Sequence, residues 1–245
     1  MERPLERPLE RRAASRTAVV WESVQQVLAA PGTSYEQGAR IVDIGGGTGG
    51  FAVRLAGQGH RVAVIDPSPD ALAALDRRAR ESGVADLVTG HQGDLAGLSG
   101  LVDDVDLVLC HGVLGVIDDL PAAVGALAEV LRPGGTLSLL VSQRHAAVLH
   151  RAMSGSFAEA RALLDGDQDG TEHRFTAPEV VELLAGAGFS DVRTQAVRVF
   201  ADLVPSAVLD GEPGAVEGLL DLERAVADRP EFLPLAAQVH ALARR

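Results

Sequence analysis

A chain of 245 residues, 47% apolar and 23% charged, with no uninterrupted apolar run of membrane-spanning length, reads as one globular domain with a terminal elaboration. All 22 basic residues are arginine, which excludes a P-loop lysine and Schiff-base or Tyr-Lys oxidoreductase chemistry. A net charge of −12 disfavours nucleic acid, whose phosphates an acidic surface repels unless positive charge gathers on one face.

Residues 1–12 repeat Glu-Arg-Pro-Leu and read as a charged, flexible leader to a domain over 13–245. They lack the apolar stretch of a signal peptide, and the one cysteine, Cys110, fits a reducing compartment, so a cytoplasmic location is expected. Ser15 to Ala29 reads as an amphipathic helix ended by Pro31-Gly32. Short apolar runs then alternate with helical stretches: Ile41–Ile44, Val62–Ile65, Leu87–Thr89, Val105–Cys110 and Thr136–Val141, separated by helices near Gly49–Gly57, Pro69–Ser82 and Leu120–Leu131. That alternation is the pattern of a parallel sheet wrapped by helices, an α/β fold. Between His145 and Gly170 it breaks into an Arg/Ala/Leu-rich helical insert and an acidic loop, Asp165-Gly-Asp-Gln-Asp-Gly, so a lid-like insertion is expected near residues 144–175. A helix over Pro178–Ala187, a long strand over Asp191–Leu203, a helix over Ala215–Asp228 and a last strand over Gln238–Ala243, with helix as its competitor, complete the chain.

The densest chemical signal is Ile41-Val-Asp-Ile-Gly-Gly-Gly-Thr-Gly-Gly50, a strand entering glycines and then a helix. Glycine permits positive φ and lets a ligand reach main-chain N–H groups with no Cβ in the way. Taken alone, the loop suits either a dinucleotide or a methyl donor, because Gly45, Gly47 and Gly50 satisfy G-x-G-x-x-G and Asp66 ends the second strand, where an acid holds ribose hydroxyls. Its surroundings separate the two. Asp43 precedes the loop by two residues, where its carboxylate is expected to order the loop backbone and face a cation; it would repel a pyrophosphate. Gly93-Asp94 follows the third strand, placed to face an adenine amino group, and Arg132-Pro-Gly-Gly135 forms a tight turn before the fifth.

At these points the chain resembles the class I S-adenosylmethionine-dependent methyltransferases. Arg16 with Trp21, Asp43 to Gly49, Cys110-His-Gly-Val-Leu114, Leu131 to Leu139, Gly155-Ser-Phe157, Val197 to Asp202 and Leu220 to Arg224 narrow the likeness to one subfamily. That subfamily is the bacterial tRNA carboxymethoxyuridine methyltransferases, and the likeness covers roughly Arg16 to Arg245. The resemblance implies a seven-stranded Rossmann-like sheet of order 3-2-1-4-5-7-6 with its last strand antiparallel, and S-adenosylmethionine as cofactor. It also implies that Arg16, Gly45, Gly46, Asp66, Gln92, Gly93 and His111 contact that donor; the residue reading adds Asp43, Gly47 and Asp94 to the set. Two departures bear on the acceptor. An acidic stretch, Asp165 to Thr171, stands where the subfamily has a lysine-rich loop, and Gly115-Val116 replaces an aromatic-acid pair. Losing the basic face removes the largest sequence-independent source of RNA affinity. A small-molecule or carboxylate-bearing acceptor is therefore expected, with the tRNA wobble uridine as the alternative.

His111, ending the fourth strand, and His145, after the fifth, are the candidates for proton removal, although a carboxylate acceptor needs no base. A structural histidine satisfied by the backbone is the alternative reading of His111. Arg144, His145 and His150 read as pocket lining or as a solvated face, and Arg198 as a partner for a substrate carboxylate or as an outward charge. Cys110 reads as a core thiol, and the acids from Asp165 to Glu172 as a solvated loop with no metal. A dinucleotide-dependent oxidoreductase and a non-catalytic protein retaining the fold are the competing classes.

Overall fold

The structure is a computed structural model that describes residues 8–30, 38–165 and 172–245, with side chains from Thr17 onward. Seven strands form one sheet of order β3-β2-β1-β4-β5-β7-β6: β1 (Arg40–Ile44), β2 (Arg61–Asp66), β3 (Val88–Gln92), β4 (Val105–His111), β5 (Leu131–Ser142), β6 (Ser190–Val197) and β7 (Gln238–Arg244). The first five pair in parallel, and β7 lies antiparallel between β5 and β6. The helices are α1 (Pro8–Leu28), α2 (Ala52–Ala56), α3 (Pro69–Glu81), α4 (Leu120–Val130), α5 (Arg144–Met153), α6 (Phe157–Leu164), α7 (Ala177–Gly186), α8 (Ser206–Gly211) and α9 (Ala215–Ala227). No helix among the described residues is long and apolar enough to cross a membrane.

The sheet separates two apolar layers, and this is why its central strands read as unbroken apolar runs. On one face Val42, Ile44, Val108 and Cys110 meet Val124, Leu127, Val180 and Leu184 of α4 and α7. On the other Ile41, Leu107 and Leu109 meet Val24, Leu55 and Leu75 of α1, α2 and α3. The first helix docks through Val19 and Val20 onto Leu140 and Val197.

Four expected boundaries move. The first helix begins at Pro8 rather than Ser15, so part of the charged leader is helical. The helix after the glycine loop starts at Ala52 rather than Gly49, because Gly45, Gly47 and Gly49 hold φ of 67°, 55° and 79°, outside helical backbone. The fifth strand takes in the Arg132-Pro-Gly-Gly turn, entering beside Val105 and shifting register before Leu107 pairs with Thr136. The sixth strand stops at Val197, since Arg198 adopts φ of 62° and turns the chain away; α8 follows, an element the apolar pattern did not announce. The last segment is a strand and not a helix, with Val239, His240 and Ala241 fully buried between two neighbours. Between β5 and α7 the insertion packs α5 against α6, joined by an Arg151–Glu159 ion pair at 3.1 Å.

Candidate active site

Parallel strands bring their carboxyl ends to one edge, and open α/β sheets take ligands there. Over β1, β2 and β3 that edge carries Asp43, the glycine loop, Asp66 and Gln92–Asp94. Asp66 organises it: Oδ2 accepts from the Gly47 N–H at 2.9 Å and Oδ1 from the Ser68 N–H at 2.9 Å. The main-chain N–H groups of Gly45 and Gly93 bond to the carbonyls of Ile65 and Asp66. Thus Asp66 ties down the loop, the task the sequence assigned to Asp43. The side chain of Asp43 has no hydrogen-bond partner among the described residues and is 4% exposed. It lies directly under Gly46, where an added Cβ would stand 2.5 Å from Asp43 Oδ2. Burial, reinforced by the charge of Asp66, raises its carboxyl to about 7.

Gln92 donates from Nε2 to the Pro67 carbonyl at 3.3 Å. Asp94 caps the 3₁₀ turn Leu95–Gly100, with Oδ1 accepting from the Ala96 and Gly97 N–H groups. A Cβ at Gly93 would stand 2.9 Å from Leu101 Cδ1, the far end of a side chain that can move aside. Trp21, Phe51 and His111 form a row of tilted and edge-to-face rings from α1 to the end of β4, with centroids 5.6 and 5.2 Å apart. The Arg54 guanidinium covers Trp21 at 3.6 Å. That row fastens α1 beside the glycine loop; the Arg16 side chain itself lies outside the described residues. His111 is half-buried, and burial lowers its imidazole to about 4. Cys110 is fully buried and pushed up to about 12 by burial and by Asp43, an inert core thiol.

The other half of the edge, over β5, β7 and β6, holds a cavity of about 270 Å³. Leu149 and Met153 of α5 with Leu203 and Leu235 give it an apolar rim. Its lining charges are Arg151, Arg174, Arg198 and one acid, Asp202, besides the imidazole of His150. Arg198 pairs with Asp202 and reaches Gln238 Oε1 at 3.4 Å, but its buried Nε–H has no partner. Its positive φ is held by Glu223 on α9, whose buried carboxylate accepts from the N–H groups of Val199, Phe200 and Ala201 at 2.8 to 3.0 Å.

His145 is not brought to His111. It lines a separate cavity between α7 and the Pro230–Leu235 turn, with Nδ1 3.4 Å from Gln143 Nε2. Arg144 is bound to Glu179 at 2.8 Å and serves the insertion rather than the pocket. Residues 166–171 of the acidic loop lie outside the described residues, and its end, Glu172, accepts from Ser142 Oγ at 2.8 Å and pairs with Arg174. Gly115 makes room for that return: His173 N–H bonds to its carbonyl, and a Cβ there would stand 2.9 Å from Glu172. Among the described residues no cluster of metal-ligating side chains occurs.

Comparison with known proteins shows the family. A methyltransferase-domain profile matches residues 41–135. A tRNA 5-carboxymethoxyuridine methyltransferase of Escherichia coli K12 is 30% identical over 236 residues, covering 94% of this chain and 88% of that protein. The chain belongs to the class I S-adenosylmethionine-dependent methyltransferases. S-adenosylmethionine is accordingly its cofactor and methyl transfer its reaction. A trans-aconitate 2-methyltransferase of Deinococcus radiodurans is 30% identical over 77% of this methyltransferase and 69% of its own length. The magnesium protoporphyrin IX methyltransferase of Synechocystis PCC 6803, solved with bound SAH, shares the fold at a TM-score of 0.63 and 17% identity, covering all of this chain and 90% of that one.

Proposed function

We propose that this chain is a cytoplasmic methyltransferase whose acceptor is a small, partly apolar carboxylate, bound in the cavity between α5 and the turn after β6. The observation that carries the reading is the lining of that cavity. Each of the three lining arginines is paired with a carboxylate, Arg151 with Glu159, Arg174 with Glu172 and Arg198 with Asp202, so the donor open to an anion is the unpartnered Nε–H of Arg198, while the apolar rim covers a carbon skeleton. A guanidinium binds a carboxylate with two parallel hydrogen bonds, a geometry suited to fixing one oxygen for attack.

On the other half of the edge, the cradle suits the donor. Gly46 could not carry a Cβ without striking Asp43, and the buried Asp43 lacks the cation that would stabilise its charge. When bound, S-adenosylmethionine supplies a methyl group activated by a sulfonium. Gly45, Gly46 and Gly47 would present main-chain N–H groups, Asp66 the ribose acceptor, Gln92, Gly93 and Asp94 the adenine contacts, and Asp43 with His111 the polar wall below. Arg16 would hold the donor's carboxylate from α1. A carboxylate acceptor arrives deprotonated, so positioning and exclusion of water are what the chain contributes, and no base is required.

The test is a transfer assay with labelled methyl donor against small carboxylates, phenols and total tRNA. A small carboxylate should be methylated, and Arg198→Ala should raise its KM about tenfold or more while adenosylhomocysteine affinity stays unchanged. Tight, salt-sensitive transfer to tRNA with no small-molecule activity would overturn the reading.

A further inference from the structure

One line of hydrogen bonds crosses four adjacent strands beneath α1 and α9. His111 Nε2 lies 2.9 Å from Ser138 Oγ, which lies 2.8 Å from His240 Nε2. His240 Nδ1 is 3.1 Å from Gln195 Oε1, which also accepts from Ser23 Oγ at 2.6 Å. Gln195 Nε2 donates to Asp228 Oδ1 at 2.9 Å. The register places these residues on one face, since His111 pairs with Leu140, Leu140 with His240, and His240 with Gln195. Ser138 and His240 are fully buried, whereas Asp228 at the end of α9 is exposed.

The direction of this line is set at its exposed end. A carboxylate only accepts, so Asp228 takes the amide N–H of Gln195 and turns Oε1 toward Ser23 and His240. Oε1 only accepts in turn, so His240 carries its proton on Nδ1. A neutral imidazole then has a lone pair on Nε2, Ser138 donates to it, and Ser138 Oγ accepts from a proton on His111 Nε2. Burial keeps both rings neutral, pushing His111 down to about 4 and His240 to about 3. Among the described residues Nδ1 of His111 has no hydrogen-bond partner.

We propose that Asp228 and Gln195, acting through His240 and Ser138, are positioning residues that hold His111 as its Nε2–H tautomer, presenting Nδ1 at the donor edge as an obligatory hydrogen-bond acceptor. That atom receives an ammonium, amide or hydroxyl and turns away a carboxylate, which leaves the arginine-lined half of the edge as the place for anions. The ligand half of this inference rests on the donor placement proposed above; the tautomer half does not, because it is measured on the ligand-free chain.

The experiment is long-range proton–nitrogen correlation on the full-length protein labelled at histidine. In the wild type, the pyrrole-type nitrogens should be Nε2 of His111 and Nδ1 of His240. Asp228→Lys replaces an acceptor by a donor, so it should reverse the Gln195 amide and move the His111 proton to Nδ1. Adding Gln195→Glu to Asp228→Lys restores an acceptor toward His240 and should return the proton to Nε2. Adenosylhomocysteine, the ammonium-bearing probe, should bind about fivefold more weakly to Asp228→Lys and recover in the double variant. A wild-type His111 protonated on Nδ1, or a tautomer unmoved by Asp228→Lys, overturns the relay. An inverted tautomer with unchanged adenosylhomocysteine affinity overturns the role of Nδ1 as the ligand's acceptor and leaves the acceptor-pocket reading untouched.

Discussion

Asp43 sits under the glycine loop in a place where its own charge is unwelcome. Its carboxyl, raised to about 7 by burial and by Asp66, is largely protonated in the empty protein below neutrality. A cation above the loop favours the ionised form, so binding an ammonium- or sulfonium-bearing ligand must release a proton from Asp43 wherever the carboxyl was still protonated. Adenosylhomocysteine affinity should therefore rise with pH, by close to tenfold per unit well below pH 7, and level off above it. Isothermal titration in buffers of different ionisation enthalpy reads that proton directly. In Asp43→Asn the affinity should be weaker and flat across the same range. A wild-type affinity independent of pH from 5.5 to 8 would mean that the loop orders the ligand without help from this charge. Asp66 has a different burden: it already binds two backbone N–H groups, so its replacement would loosen the loop as well as any ribose contact.

At the scale of elements, the acceptor half depends on how β6 hands over to the turn that follows. Glu223 reaches from α9 to three successive N–H groups, and Arg198 immediately before them holds a left-handed backbone. Strain of this kind persists only where its surroundings enforce it. Glu223→Ala should cost about 3 kcal/mol, from lost charge-assisted bonds and buried N–H groups left unpaired, and lower Tm by roughly 6 to 12 °C for a chain of this length. It should also blunt acceptor binding, because Arg198 would no longer be held at the cavity. Thermal unfolding with an acceptor titration checks both; an unchanged Tm would assign the turn's order to other contacts. The sequence marks Arg198 as a possible partner for a substrate carboxylate, but it does not show the turn or the Glu223 contacts that hold it. Ile41–Ile44 and Val105–Cys110 announce themselves because strands buried on both faces need unbroken apolar runs, and Asp66 is legible because its spacing from the glycines follows from one strand–helix–strand unit. Glu223 looks like any acid on an amphipathic helix. Likewise Ser138 and His240 are 102 positions apart, and only the antiparallel insertion of β7 makes them neighbours. The sequence reads as strand through Arg198 because its apolar neighbours, Val197, Val199 and Phe200, hide the turn between them.

For the whole molecule, the same buried groups set how stability depends on pH. His111 and His240 have folded-state values of about 4 and about 3, below the ordinary 6.5 of the unfolded chain. The stability they contribute is complete above pH 6.5 and is lost as pH falls toward those values. Asp43 runs the opposite way. Its folded value, about 7, exceeds the ordinary 3.8, so its contribution is complete below 3.8 and is lost as pH rises through 7. Between pH 6 and 5 unfolding thus takes up protons on two histidines and releases one from Asp43. Each proton corresponds to a slope of about 1.4 kcal/mol per pH unit, so among these three groups roughly one proton's worth of acid destabilisation survives. Asp43→Asn removes the opposing proton while keeping the side chain's shape. The variant should be more stable than the wild type at pH 8, by up to about 4 kcal/mol, and the advantage should shrink by about 1.4 kcal/mol for each unit of pH lowered below 7. Denaturant unfolding of the ligand-free chain at half-unit steps from pH 4.5 to 8 measures the difference, in which every titration common to the two proteins cancels. A gap that stays constant over that range would show that Asp43 is ionised throughout, and that the buried carboxylate has found a partner in the empty protein.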